Sequence, residues 1–161
     1  MKMKQKFIEA FMDCAERFAQ LSSATRAKVG AIIVKDNRII SIGYNGMPTG
    51  WENVCEYEEE ILISEFNVGT RLEKTGQLKT KPEVLHAETN AIAKVARSAE
   101  SCEGAALFCT HLPCMDCAKL IYQSGISEVY YKVEYDASRG NGKDFLIKSG
   151  VTVTKVSADS V

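Results

Sequence analysis

The sequence predicts an α/β fold in which a mixed five-stranded sheet carries helices on both faces. Three observations lead there: an amphipathic opening segment, two β-branched runs joined by a short polar turn, and an alternation of helical and extended patterns after residue 86. A hairpin followed by alternating helices and strands, with right-handed crossovers, builds a sheet of both parallel and antiparallel pairs. A length of 161 residues suits one domain, 1–161, with a core of its own.

Between Met3 and Leu21, apolar residues fall at Phe7, Ile8, Phe11, Met12, Ala15, Phe18 and Ala19, the spacing of one helical face. Val29–Val34 and Arg38–Tyr44 read as strands, and Asp36-Asn37 is the turn between them. The run Tyr44-Asn45-Gly46-Met47-Pro48-Thr49-Gly50 reads as a loop with N–H groups free to face a ligand. Cys55–Phe66 reads as a helix, and residues 67–82 as polar and turn-rich. Then come a helix over Ala87–Ser98, a strand over Ala105–Cys109, a helix over Cys114–Ser124 and a strand over Glu128–Lys132. A short helix over Asp144–Ser149 and a strand over Val151–Lys155 close the chain.

Composition narrows the function classes. Twenty basic residues face 21 acidic ones, so no global positive field gathers long nucleic acid. A small anionic substrate needs only a few local cations. No stretch is apolar enough to span a bilayer, and none resembles a secretion signal. The expected compartment is therefore the cytoplasm, of a cell or of a virus-infected host, where the six cysteines stay reduced or bind metal.

His86-Ala87-Glu88 and Pro113-Cys114-Met115-Asp116-Cys117 each fall where a helix is expected to begin. Cys114 and Cys117, three apart, point to one side of a helix start, where free N–H groups and the dipole favour thiolates. One imidazole and two thiolates leave tetrahedral zinc one position open to water, the mark of a catalytic site. Glu88 stands two residues from His86, close enough to accept the proton of that water and pass it to a leaving amine. His-x-Glu followed by Pro-Cys-x-x-Cys is the ligand pattern of zinc deaminases.

Other readings stay open beside this one. Arg26 and Lys28 suit either a 5′-phosphate or a solvated surface. Asn45 suits a ligand contact or a turn. Tyr131, Tyr135 and Arg139, read as following the fourth strand of the sheet, sit where open α/β sheets keep ligand crevices, or simply on a surface loop. His111 is expected to line the site or orient its loop. Cys55 is the one further cysteine to check for metal.

With these motifs in view, the sequence resembles the deoxycytidylate (dCMP) deaminases. The resemblance rests on Lys28-Val29-Gly30-Ala31, on Gly43–Gly50, on His86–Ile92 and on Pro113–Ile121, and runs from about Ser22 to about Val153. It implies the three-layer cytidine deaminase-like fold, one Zn2+ per chain, and hydrolysis of dCMP to dUMP and ammonia. It further implies that the asparagine matching Asn45 contacts the nucleotide, with Arg26 and Tyr135 as accompanying substrate-binding candidates. The matching loop helps form a regulatory site for dCTP as activator and dTTP as inhibitor, with Gly46, Gly50 and Lys28 as candidates and Mg2+ accompanying a triphosphate. Family members are commonly homohexamers.

Two departures limit what is carried over. Ser22-Ser23-Ala24-Thr25-Arg26 stands where many members have Ser-Arg-Asp-Pro, and only two histidines are present, too few for a second structural zinc site. The rival readings are a deaminase of another nucleoside, nucleotide or base, and a non-catalytic zinc module that binds nucleotides.

Overall fold

The computed structural model describes residues 3–66, 68–135, 140 and 142–157. Helix α1 (Gln5–Ala19) leads into strands β1 (Gly30–Lys35) and β2 (Arg38–Tyr44), then β3 (Glu56–Glu65) and β4 (Gly69–Thr80). There follow α2 (Ala87–Val95), β5 (Ala106–His111), α3 (Met115–Gln123), β6 (Glu128–Val133), α4 (Gly142–Lys148) and β7 (Thr152–Lys155). The main sheet runs β2-β1-β5-β6-β7. Strand β1 is antiparallel to both β2 and β5, while β5, β6 and β7 are parallel, so the sheet is mixed as expected.

Asp36 and Asn37 both take positive φ, 50° and 56°, the conformation a two-residue hairpin turn requires. Strand β1 is buried on both faces, as its unbroken run Ala31-Ile32-Ile33-Val34 requires. Alternate residues serve opposite layers. Ile32, Val34 and Phe108 pack with Ile8, Met12 and Ala15 of α1 on one face. Ala31, Ile33, Leu107 and Val129 pack with Ala87 and Ala91 of α2 and with Ala118 and Ile121 of α3 on the other. This is the cytidine deaminase-like layering.

Two glycines let the helices approach the sheet. A Cβ on Gly30 would run into the backbone of α1 at Ala15 and Ala19, and one on Gly43 into α2 at Ala87 and Ala91. Hydrogen bonds fix the second contact: Ser41 Oγ donates to Ala91 O at 2.7 Å, and Asn90 Nδ2 to Tyr44 O at 3.1 Å.

One expectation fails. Cys55–Phe66 is not a helix, because Glu56–Glu65 and Gly69–Thr80 form an antiparallel hairpin that makes a separate two-stranded sheet. Its glutamates answer cations on the facing strand: Glu58 to Lys74, Glu59 to Lys79 and Glu65 to Arg71. Strands β3 and β4 contact each other and no other helix or strand among the described residues. The hairpin is an arm.

Candidate active site

His86 is the residue that precedes α2, and Cys114 the one that precedes α3, so the beginnings of two helices converge on one point. His86 Nδ1 lies 3.6 Å from Cys114 Sγ and 3.3 Å from Cys117 Sγ, and the three ligand atoms all lie within 4.8 Å of one another. Zn–S bonds of about 2.3 Å and Zn–N bonds of about 2.0 Å at tetrahedral angles put sulfur and nitrogen about 3.6 Å apart. The donor set and its spacing fit zinc.

Electrostatics without metal follow from these contacts. A hydrogen bond from Cys117 holds the Cys114 thiol down at about 4, helped by His86, while Cys117 is pushed up as the partner that keeps the proton. His86 is raised, chiefly by its bond to Cys114. Glu88, only 4% exposed, is raised by burial in the first turn of α2. Buried free carboxylates are costly, so Glu88 holds a proton more readily than a surface glutamate does.

These groups open onto a cavity of about 330 Å³ lined by Arg26, Asn45, Glu56, Thr80, His86, Glu88, His111, Cys114 and Tyr135, among others. The cavity brings together two of the predicted metal ligands, His86 and Cys114, with Glu88 and all three predicted substrate-binding residues, while Cys117 lies buried behind its wall. Lys28, Gly46 and Gly50 are not in its lining. Arg139 lies outside the described residues.

The loop after β2 differs from the expectation of free N–H groups. Asn45 N donates to Val29 O and Gly46 N to Leu85 O, so its backbone is tied into the fold. The Asn45 side chain accepts from Val29 N and donates to Ala27 O, both at 2.8 Å, fixing the segment before β1 while it lines the cavity. Cys55 is buried with Ala24 and Val84, and among the described residues it joins no metal-binding group.

Sequence reasoning missed two cavity residues, Glu56 and Thr80. Glu56 Oε1 accepts from Thr25 N and Arg26 N, at 2.9 and 3.2 Å, and Arg26 Nη1 donates to Thr80 Oγ1 at 2.9 Å. They stand at the first and last positions of the arm, a segment misread as helix and loop. No local signal pointed to them.

Fold and site together define a zinc-dependent deaminase, with His86, Cys114 and Cys117 holding the metal. Residues 5–133 match the model of the cytidine and deoxycytidylate deaminase zinc-binding region. The chain belongs to that family. It is 35% identical to the deoxycytidylate deaminase of Enterobacteria phage T4, over 86% of this chain and 83% of that one. The dCMP deaminase of cyanophage S-TIM5, solved in complex with dCMP and dUMP, is 44% identical and superimposes with a TM-score of 0.79, over 96% of this chain and all of the other. ComE operon protein 2 of Bacillus subtilis is 33% identical, over 94% of this chain and 71% of that protein.

Proposed function

We infer that the protein hydrolyses dCMP to dUMP and ammonia, acting as a single deaminase domain. The observation that carries the reading is one cavity joining the zinc ligands His86 and Cys114, and Glu88, to Arg26, Asn45 and Tyr135, in a chain 44% identical to an enzyme solved with dCMP and dUMP. Zinc, when bound, supplies an activated water for attack on C4 of the base. Glu88 takes up the two protons of that water in turn, delivering the first to N3 and the second to the departing amine, and so ends in its starting state. Burial suits it to this work, since it makes the carboxylate a better proton acceptor than a surface glutamate. Asn45, Arg26 and Tyr135 hold the nucleotide.

Regulation is part of the proposal: dCTP activates and dTTP inhibits, each with Mg2+, at a site that includes Gly46, Gly50 and Lys28. The working form is a homo-oligomer, a hexamer, in the cytoplasm. No helix of the described residues is long and apolar enough to cross a membrane.

Ammonia release from dCMP, deoxycytidine and dCTP, with and without added dCTP and dTTP, tests the reading. Preference for the monophosphate is expected. Equal rates on dCMP and deoxycytidine would overturn the substrate, and indifference to the triphosphates the regulation.

A further inference from the structure

The cavity contains a hydrogen-bond donor that the mechanism above leaves unused. Thr110, at the end of β5, is buried, and its Oγ1 accepts from Gly30 N at 3.1 Å. The hydroxyl proton must then find an acceptor, since buried donors are satisfied in folded proteins. The neighbouring partner is His111 Nδ1 at 2.9 Å, and Thr110 has no other side-chain bond. Thr110 therefore donates to Nδ1, which fixes the ring proton of neutral His111 on Nε2. Burial lowers the His111 pKa, which favours the neutral ring.

That Nε2–H has no partner among the described residues, and His111 lines the cavity. It occupies a rim built from neighbouring strands in spatial order: Asn45 after β2, Val29 before β1, His111 at the end of β5 and Tyr135 after β6. Away from the zinc ligands, the lining holds two polar groups of residues. One holds Arg26 with its guanidinium bonded to Thr80 and the Glu56 carboxylate beside it. The other holds His111 and Tyr135, an imidazole and a phenol on or just after neighbouring strands. The Glu56 carboxylate beside Arg26 offsets part of its charge, so a dianion in the cavity gains from the further donors of the second group.

We propose that His111 is a substrate-positioning residue whose Nε2–H donates to the 5′-phosphate of the bound nucleotide. The inference rests on the dCMP reading above. Thr110 is the group that orients the ring, and Gly30 N is what orients Thr110.

Three variants test it: His111→Leu, which removes the donor; His111→Gln, which keeps an N–H near the same place; and Glu88→Gln, for measuring dCMP affinity without turnover. In His111→Leu, KM for dCMP is expected to rise about tenfold, the worth of one hydrogen bond to a charged group. Its kcat stays near that of the parent, kcat/KM for deoxycytidine is unchanged, and His111→Gln recovers most of the loss. Adding His111→Leu to Glu88→Gln weakens dCMP binding by the same factor in calorimetry. Zinc content and thermal midpoint match the parent throughout. Equal losses on dCMP and deoxycytidine, no loss on either, or lost zinc would each overturn the assignment. A parent enzyme inactive on dCMP would instead remove the substrate reading, and the inference with it.

Discussion

Glu88 is placed by two constraints that meet in one residue: it must be near the metal ligand His86, and it must be buried. Replacing it with Gln keeps size and hydrogen bonding but removes the proton acceptor. Glu88→Gln is expected to bind one zinc per chain while kcat falls by about 10²–10⁴-fold, read by metal analysis and ammonia release. The ligands themselves give a pH prediction. In the metal-free protein the pKa values of Cys117 and His86 are raised, so both carry protons to higher pH than usual, and zinc must displace them. Zinc uptake should therefore release protons, more per zinc at pH 6 than at pH 8, and zinc affinity should rise with pH. An indicator dye in weak buffer measures the release. The ligands and Glu88 were legible in the sequence because each lies within a few residues of a helix start and the two clusters together make the zinc deaminase pattern. The role of His111 was not, because the ring's tautomer depends on Thr110, whose orientation depends on Gly30 of another strand.

Helix α2 is the element on which the site stands. It brings His86 and Glu88 to the cavity only because β2 has no side chain at residue 43, where a Cβ would collide with the backbone at Ala87 and Ala91. Gly43→Ala is expected to push α2 outward, costing about 1–3 kcal/mol as overpacked substitutions do. The thermal midpoint should drop by several degrees and zinc affinity should weaken, whereas Gly46→Ala, with open space at its Cβ, should change the midpoint far less. The positions of the sheet strands were readable, since apolar runs and the Asp36-Asn37 turn are local signals. The β3–β4 hairpin was not. Its glutamates and scattered apolar residues read as helical, and their partners Lys74, Lys79 and Arg71 lie in a strand with few apolar markers of its own.

At the scale of the whole molecule, the arm stands apart from the catalytic body. It carries the most exposed apolar side chains of the described residues, Phe66 at 96% and Val68 at 70%. A hairpin of two strands is marginal in water alone. Its cross-strand ion pairs are exposed and add little. Replacing residues 61–73 with Asn-Gly, so that Glu60 and Lys74 remain paired across a two-residue turn, should leave one zinc per chain and reduce binding of a hydrophobic dye. Loss of zinc would mean that the tip supports the metal site. The arm's roots are another matter, because Glu56 and Thr80 are at once its end residues and the groups that hold Arg26. The outer hairpin is thus free to vary in length and sequence, like a handle recut for each new grip. Its two end residues line the cavity and hold Arg26, so a change at the wrist, unlike one at the fingertips, reaches the site itself.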